Sequence, residues 1–197
     1  MRKVMIAIID YGMGNVRSVQ KGLERVGWHA VITRAPGVLA DASHLILPGV
    51  GAFPDCMSNL HRYGLVDSIY REIEKGKPFL GICLGFQLLF AESEEFGRHT
   101  GLGLLRGRVV RFTETREGGD GGVEQKDRSR LKVPHMVWNR VTIAKHSPLF
   151  QGLPEDPFFY FVHSYYVLPE EPDLVASFTE YGITFASSIW RDHLFAC

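Results

Sequence analysis

The first half of the chain alternates short apolar runs with segments whose apolar residues recur at helical spacing. Four runs have the length of buried strands: 4–9, 30–33, 44–47 and 78–82. Three segments have the period of amphipathic helices: 16–26, 65–74 and 84–92. This alternation predicts an α/β fold, an open and mostly parallel sheet with flanking helices on both faces.

After Gly101 the helical spacing disappears and strand-like runs follow one another. They cover 104–112, 136–144, 158–167, 174–178, 183–190 and 193–196. Turn residues separate several of them, which predicts antiparallel strands in the second half of a single domain over 1–197. Residues 113–130 are polar, rich in glycine and without an apolar period, so they are predicted to form a mobile surface loop.

Composition narrows the classes of partner and the compartment. The 22 Lys and Arg balance the 22 Asp and Glu in 197 residues, so overall charge does not favour nucleic acid or an anionic membrane as the main partner. Cys56, Cys83 and Cys197 are odd in number and form no C-x-x-C pair, which favours a reducing cytosol over a disulfide scaffold. No run approaches the roughly 20 apolar residues of a membrane span. We expect a soluble, cytoplasmic protein.

The segment Gly81-Ile82-Cys83-Leu84-Gly85 lies between a predicted strand and a predicted helix. G-x-C-x-G in this position is the thiol version of the nucleophile elbow, a sharp turn that presents its central side chain above a sheet. The helix N-terminus is expected to lower the pKa of the Cys83 thiol, and the Leu84 N–H to face a tetrahedral oxyanion. The alternative is that Cys83 is a small buried apolar residue, the interpretation that we keep for Cys56 and Cys197.

Two glycine-containing loops also follow predicted strands. Pro48-Gly49-Val50-Gly51 lies at the carboxyl end of a strand, where open α/β sheets bind ligands, and its glycines allow backbone N–H groups to face an anion. An ordinary turn is the alternative. Asp10-Tyr11-Gly12-Met13-Gly14-Asn15 lacks the third glycine of a dinucleotide fingerprint and the lysine of a P-loop, so both motifs are rejected. A tight turn or a contact loop remains.

Together with residues 134–139 (Pro-His-Met-Val-Trp-Asn) and 161–166 (Phe-Val-His-Ser-Tyr-Tyr), these motifs resemble those of the class I glutamine amidotransferases. Within that family, the sequence is similar to the glutaminase subunits of imidazole glycerol phosphate synthases, from histidine biosynthesis. The resemblance implies a flavodoxin-like fold and hydrolysis of L-glutamine to glutamate and ammonia by Cys83, with no metal or organic cofactor. It also implies a heterodimer in which the ammonia passes to a (βα)8-barrel cyclase subunit.

The resemblance also assigns roles to individual residues. The oxyanion and glutamine are implied to be bound by Gly49, Val50, Gly51, Leu84, Gln87, Glu95, Ser164 and Tyr165. The partner interface is implied to include Tyr11, Met13, Asn15, Pro134, His135, Met136, Trp138 and Asn139. For Glu95, a solvated acidic run is the alternative. His163 is interpreted as a hydrogen-bonded residue of the core and not as the catalytic base.

The sequence departs from the family at its carboxyl end. The family's catalytic histidine, and the glutamate that orients it, follow a strand resembling residues 193–197, and they have no counterparts here. We expect either that a C-terminal segment is missing or that the protein is a non-catalytic binding subunit. The first is favoured because the last strand otherwise lacks a covering helix. A chain ending at Cys197 is expected to show little glutaminase activity.

Two further alternatives stay open at this point. The chain is also compatible with the glutaminase of another class I amidotransferase, or with a cysteine hydrolase on a related elbow fold. Val137 stands where the family usually has glycine, which is expected to alter the packing of residues 134–139.

Overall fold

The computed structural model describes residues 4–113 and 131–197. The predicted surface loop at 113–130 therefore lies, except for Thr113, outside the described residues. In the two described ranges, no helix is long and apolar enough to cross a membrane.

Helices and strands alternate up to β5, and strands dominate from there on. The α-helices are α1 (Val16–Arg25), α2 (Pro36–Asp41), α3 (Phe53–Arg62), α4 (Val66–Glu74) and α5 (Leu84–Gln87). The strands are β1 (Ile6–Ile9), β2 (Ala30–Thr33), β3 (His44–Gly49), β4 (Phe79–Cys83), β5 (Phe90–Ser93), β6 (His99–Thr100), β7 (Leu105–Arg111), β8 (His135–Arg140), β9 (Thr142–Ile143), β10 (Phe158–His163), β11 (Tyr165–Pro169), β12 (Val175–Tyr181), β13 (Ile183–Arg191) and β14 (Leu194–Ala196). Short 3-10 helices occur at Pro148–Phe150 and Pro172–Leu174.

One large mixed sheet organises these elements. Its order is β2-β1-β3-β4-β14-β13-β11-β7-β5-β6, and β12 pairs with both β13 and β9. The strands from β2 to β14 in this order run parallel, whereas β13, β11 and β12 are antiparallel to their neighbours. β8 and β10 form a separate antiparallel pair. The predicted fold class, with flanking helices and with antiparallel strands in the second half, is confirmed.

β1 shows why helices cover both faces of the parallel strands. Ile6 and Ile8 are buried in a cluster that packs against α1, whereas Ala7 and Ile9 belong to the larger core that includes α3 and α4. Successive residues of a strand point to opposite faces, so a strand that is apolar throughout needs cover on both.

The predicted helix over 84–92 is wrong in its second half. α5 ends at Gln87, and Phe90–Ser93 forms β5, which pairs in parallel with β7. The run is mostly apolar, and no polar side marks a helix period. Its large apolar residues are all buried: Leu84, Phe86, Leu88, Leu89 and Phe90. An apolar run of this length fits a helix or a strand equally well, and pairing with β7 decides the outcome.

Two predicted strands are each divided. The run 158–167 breaks at Ser164 into β10 and β11, which belong to different sheets, and the run 136–144 breaks at Val141. α2 and α3 were not predicted, although each has a proline in its first turn, a common start signal.

The end of α4 is fixed by a buried carboxylate. The Glu72 side chain is 3% exposed, and its two oxygens lie 2.7 Å from the Lys75 and Lys77 ammonium nitrogens. Lys77 also donates to the Leu39 carbonyl at 2.6 Å, which ties the segment before β4 to α2. Burial alone would raise the pKa of Glu72, but the two ammonium groups outweigh it, so the pKa is lowered.

We expect Glu72→Gln to reduce the free energy of unfolding by about 2 kcal/mol at pH 7, because Lys77 loses its buried counter-charge. Glu74→Gln, at an exposed position of the same helix, is the matched control, with an expected change below about 0.5 kcal/mol. The folded pKa of Glu72 lies below its ordinary value of 4.5. The advantage of the wild type over Glu72→Gln should therefore be complete above pH 4.5 and disappear as pH falls through the folded pKa. Urea unfolding over this pH range measures it, and equal stability of both variants at pH 7 would contradict it.

Candidate active site

Cys83 stands at the turn between β4 and α5. Its backbone has a φ of 56° and a ψ of −113°, a conformation that residues with a side chain rarely adopt. The turn lies at the carboxyl ends of the parallel strands, where Cys83 is the register partner of Gly49 in β3. This strained strand-to-helix turn is the geometry of a nucleophile elbow.

Two glycines allow α5 to begin directly against β3. A Cβ atom on Gly85 would lie 1.8 Å from the Leu47 carbonyl oxygen. A Cβ atom on Gly49 would lie 2.7 Å from the Gly85 nitrogen and 2.8 Å from the Tyr11 hydroxyl oxygen. The close approach of helix and strand, which brings Cys83 beside the turn at residues 48–51, therefore requires glycine at both positions.

The Cys83 thiol is exposed to solvent at a pocket wall, yet protein atoms surround it closely. This burial raises the pKa of the thiol, and the Leu84 N–H, which is hydrogen-bonded to it, lowers the pKa by less. The expectation of a lowered pKa is therefore wrong. α5 has four residues, so few aligned peptide dipoles act on the sulfur. The thiol depends on a base for its deprotonation near neutral pH.

The turn at residues 48–51 is held from below by buried side chains. The Tyr11 hydroxyl donates to the Pro48 carbonyl at 2.8 Å. The Cys56 thiol, in α3, donates to the Val50 carbonyl at 3.6 Å, and its sulfur lies 3.5 Å from the Tyr11 hydroxyl oxygen. Tyr11 and Cys56 therefore fix two carbonyl groups of the turn. The sequence contains no local signal for this support, because its members come from separate elements.

The backbone N–H groups of the predicted oxyanion site are not all free. The Val50 N–H donates to the Met13 carbonyl at 3.4 Å. The Met13 side chain also covers Gly51, since a Cβ atom there would lie 2.7 Å from the Met13 terminal methyl. The Leu84 N–H is hydrogen-bonded to the Cys83 thiol. Both N–H groups therefore have a partner in this structure, and the partner of the Leu84 N–H is the thiol itself.

A pocket of about 460 Å³ adjoins Cys83, a volume that suits a small organic molecule. Its lining includes Gln87 and Tyr165 and is otherwise mostly apolar. The Gln87 carboxamide nitrogen donates to the Tyr165 carbonyl at 3.2 Å. The structure thus brings two of the predicted glutamine-binding residues to the nucleophile. Ser164 lies between β10 and β11, half-buried, and its carbonyl accepts from the Phe112 N–H at 3.0 Å.

Glu95 has a specific structural partner. One of its carboxylate oxygens accepts from the Phe53 N–H at 2.8 Å, at the N-terminus of α3. Partial burial raises the pKa of Glu95, and the hydrogen bond from Phe53 opposes that shift. Burial raises the pKa of Tyr165, and the Glu95 charge adds to that shift. The interpretation of Glu95 as a solvated residue is therefore wrong.

The residues predicted at a partner interface differ widely in their exposure. Met136 and Trp138 are 54% and 65% exposed. Tyr11 and His135 are 1% and 0% exposed, so neither presents its side chain to a partner in this structure. Four more lie at or near the surface, with Met13, Pro134 and Asn139 half-buried and Asn15 exposed. Asn15 also caps α1 by accepting from the Ser18 N–H at 3.3 Å.

His163 lines the same pocket as Cys83. Its Nδ1 lies 2.8 Å from the Tyr165 carbonyl oxygen, and its Nε2 lies 2.8 Å from the His135 Nδ1. Both ring nitrogens are therefore engaged. This agrees with the interpretation of His163 as a hydrogen-bonded residue, although the His135 partner was not foreseen.

The fold and the elbow define a glutaminase of the amidotransferase type, and comparison with known families agrees. Residues 7–196 match the family model described as "Glutamine amidotransferase class-I", and the chain belongs to that family. Within it, the chain is similar to "Imidazole glycerol phosphate synthase subunit HisH" of Syntrophotalea carbinolica, at 55% identity over 98% of this chain and 89% of that relative. The relative of the same name from Geobacter sulfurreducens is 50% identical over 97% of this chain and 88% of its own length.

Solved structures show the same fold at low sequence identity. A chain described as "Crystal structure of glutamine amidotransferase" has a TM-score of 0.69 at 18% identity, covering 96% of this chain and 87% of its own. "Structure of PurLQS from Thermotoga maritima" also has a TM-score of 0.69, at 16% identity and with coverages of 98% and 85%. At these identities the likeness concerns the fold alone.

Proposed function

We propose that this chain is the glutaminase subunit of an imidazole glycerol phosphate synthase, acting in histidine biosynthesis. In this proposal the complete protein hydrolyses L-glutamine to glutamate and ammonia, and the ammonia is consumed by a cyclase subunit. The observation that carries the proposal is the strained elbow, which places Cys83 beside Gln87 and the turn at residues 48–51. The relatives at about half identity, each named as a subunit of that synthase, specify the reaction.

The reaction follows from the geometry in two stages. The Cys83 sulfur, once deprotonated, attacks the amide carbonyl of glutamine, and the Leu84 N–H stabilises the oxyanion. The amide nitrogen takes up the proton that the thiol released, the carbon–nitrogen bond breaks, and ammonia departs, with a thioester left on Cys83. Water attacks this thioester, releasing glutamate and the thiol. Gln87, Glu95, Ser164 and Tyr165 are assigned to holding the substrate.

His163 is not the base that takes the thiol proton. Its Nδ1 proton is directed at the Tyr165 carbonyl, and its Nε2 is occupied by His135. A general base needs a free acceptor within hydrogen-bond reach of the proton that it removes.

The proposal also includes a rearrangement of the turn at residues 48–51 when the substrate binds. The Val50 N–H can join the oxyanion site only if it leaves the Met13 carbonyl.

The partner surface that we propose is the outward face of the β8–β10 pair. Alternate residues of both strands point outward and face each other in register: Met136 with Val162, Trp138 with Tyr160, and Arg140 with Phe158. The five apolar side chains are between 50% and 65% exposed, and the Trp138 and Tyr160 rings lie 5.6 Å apart. Exposed aromatic clusters of this kind are typical of protein interfaces. We assign this face to a (βα)8-barrel cyclase, in a heterodimer.

Trp138→Ala is expected to weaken binding of the cyclase subunit by roughly 30-fold or more, because a central aromatic residue of an interface commonly contributes at least about 2 kcal/mol. Trp28→Ala provides the matched control, since Trp28 is also exposed, at 48%, but lies before β2. It should leave the affinity within about twofold. Titration calorimetry with the purified cyclase measures both. Similar losses for the two variants would place the interface elsewhere.

Parallel assays with glutamine, ammonia and simple esters test the proposed reaction. The complex with the cyclase should form product from either nitrogen source, and the added chain should be needed only with glutamine. Hydrolysis of esters without hydrolysis of glutamine would support a cysteine hydrolase instead. Stable binding to the cyclase without glutamine-dependent product would support a non-catalytic subunit.

The remaining proposals concern the cellular location and the domain organisation of the protein. The free cysteines Cys56, Cys83 and Cys197 support a reducing, cytoplasmic location. We also retain the proposal that residues 1–197 belong to one amidotransferase domain.

A further inference from the structure

Two histidines that the proposed chemistry does not use form a hydrogen-bonded pair between β8 and β10. His135 Nδ1 lies 2.8 Å from His163 Nε2. The His135 ring is fully buried and is stacked between the rings of Tyr181 and Phe161, at centroid distances of 4.0 and 4.9 Å. A buried polar pair in such a setting is tightly constrained, because an unmatched donor or acceptor has no water to replace its partner.

Aromatic rings also surround the pair on its other sides. Phe112 and Phe185 each contact both histidine rings, with centroid distances between 5.2 and 6.1 Å. Titratable groups near the pair include Tyr181, whose ring contacts His135, and Cys83, which lines the same pocket as His163. Burial lowers the pKa of His163, and burial with the neighbouring His163 lowers that of His135 to about 4.

The Tyr165 carbonyl fixes the positions of the ring protons. A carbonyl oxygen only accepts, so His163 Nδ1, 2.8 Å away, carries a proton. In the neutral ring, His163 Nε2 is then an acceptor, and His135 Nδ1 must donate to it. His135 Nε2 is left as an acceptor, and the Asn139 carboxamide nitrogen lies 3.3 Å from it. Both histidines are thereby neutral and protonated on Nδ1.

The orientation of the Asn139 amide supports this assignment independently. Its nitrogen donates to the Glu180 carbonyl at 2.8 Å, and its oxygen accepts from the Arg140 N–H at 2.8 Å. Turning the amide over would break both bonds. A second proton on either histidine would therefore leave two N–H donors facing each other, either between the two rings or between His135 and Asn139.

The chain of hydrogen bonds connects two functional regions. At one end, the Tyr165 carbonyl accepts two hydrogen bonds, one from His163 Nδ1 and one from the Gln87 carboxamide nitrogen. Both lone pairs of this oxygen are therefore used at the glutamine pocket. At the other end, Asn139 belongs to β8, next to Trp138 of the proposed partner surface.

We propose that His135 and His163 are positioning residues, which hold the Tyr165 carbonyl and the Gln87 carboxamide in place for glutamine through fixed, neutral tautomers. The pair also ties the glutamine pocket to the strand that carries the partner surface. This inference rests on the proposed function for its substrate. It assigns the pair no role in bond making or breaking, because neither ring has a free nitrogen.

The first test separates binding from chemistry in the complex with the cyclase. His163→Leu should raise KM for glutamine at least about tenfold while kcat changes less than about threefold. His163→Asn keeps a donor near the Nδ1 position and should restore KM to within about threefold of wild type. His135→Leu removes the donor to His163 and should raise KM about fivefold or more. His61→Asn, at an exposed position in α3, is the matched control and should leave KM unchanged.

A purely structural role predicts a different result, in which the histidine variants melt earlier but the folded protein keeps the wild-type KM. That result would overturn the proposal. Long-range proton–nitrogen NMR of the histidine rings gives a readout independent of activity. Both rings should be neutral and protonated on Nδ1 at pH 8, and His135 should stay so down to pH 5 because its pKa is lowered to about 4. Protonation on Nε2 of either ring at pH 8, or of His135 at pH 5, would contradict the assignment.

Failure of the proposed function is distinguishable from failure of this inference. If the wild-type complex does not hydrolyse glutamine, the proposed reaction is wrong. Glutamine affinity measured by calorimetry then replaces KM as the test of positioning. His163→Leu should bind glutamine at least about tenfold more weakly than the wild type, and equal affinities would overturn the inference.

Discussion

Replacing Cys83 with serine is expected to lower glutamine-dependent product formation by the complex with the cyclase by at least about 10³-fold. Serine has the same shape, but its hydroxyl is a far weaker acid, and the Leu84 N–H cannot compensate for that difference. The alcohol would therefore be left largely un-ionised near neutral pH. Steady-state assays with glutamine measure the loss.

The same variant contains its own control. Ammonia-dependent product formation by the cyclase, with Cys83→Ser bound, should equal that with the wild-type chain, since that route bypasses the thiol. Alkylation by a chloroketone analogue of glutamine, followed by mass spectrometry, should modify Cys83 in the wild type. A variant that keeps more than about a tenth of the glutamine-dependent activity would place the nucleophile elsewhere.

Gly85→Ala is expected to lower the free energy of unfolding by at least about 3 kcal/mol, because overpacking against rigid backbone has no inexpensive relief. The added methyl would lie 1.8 Å from the Leu47 carbonyl oxygen. Leu47 belongs to β3, which is hydrogen-bonded between β1 and β4, so it cannot retreat without disturbing the sheet. The protein that still folds should have lost the elbow geometry and with it the glutaminase activity.

Gly22→Ala is the matched control for this glycine. Gly22 lies in α1, where a Cβ atom would meet nothing within 4 Å. Alanine there should raise the free energy of unfolding by about 0.5–1 kcal/mol, since it lowers the backbone entropy of the unfolded chain. Urea unfolding of the Gly22→Ala and Gly85→Ala variants measures both changes in the free energy of unfolding. Equal effects would mean that α5 and β3 are not in close contact.

The sequence predicted the elements of the parallel half because their apolar patterns are local. The continuous apolar runs became β1, β3 and β4, and the amphipathic segment at 16–26 became α1. The error at residues 84–92 has the opposite cause. That run is mostly apolar, so its period carries little information, and the partner strand β7 determined which part of it became extended.

At the site, the sequence also predicted which side chains would meet. Cys83, Gln87 and Tyr165 lie in one pocket, although Tyr165 is 78 residues away from Gln87. The resemblance to the family implied this for Gln87 and Tyr165, whereas the place of Cys83 followed from its motif at the carboxyl end of a parallel strand. The roles of Glu95, Ser164 and the glycines of the turn remain proposals.

The sequence by itself determined the elbow, because glycine, cysteine and glycine at fixed spacing constrain a turn made of neighbouring residues. Only the tertiary structure decided the raised pKa of Cys83, the burial of Tyr11 against Pro48, and the pairing of His135 with His163. Each of these depends on groups from separate elements, 37 residues apart for Tyr11 and Pro48 and 28 for the histidines. Burial and hydrogen bonding across such separations are set by how strands and helices pack, which no local pattern records.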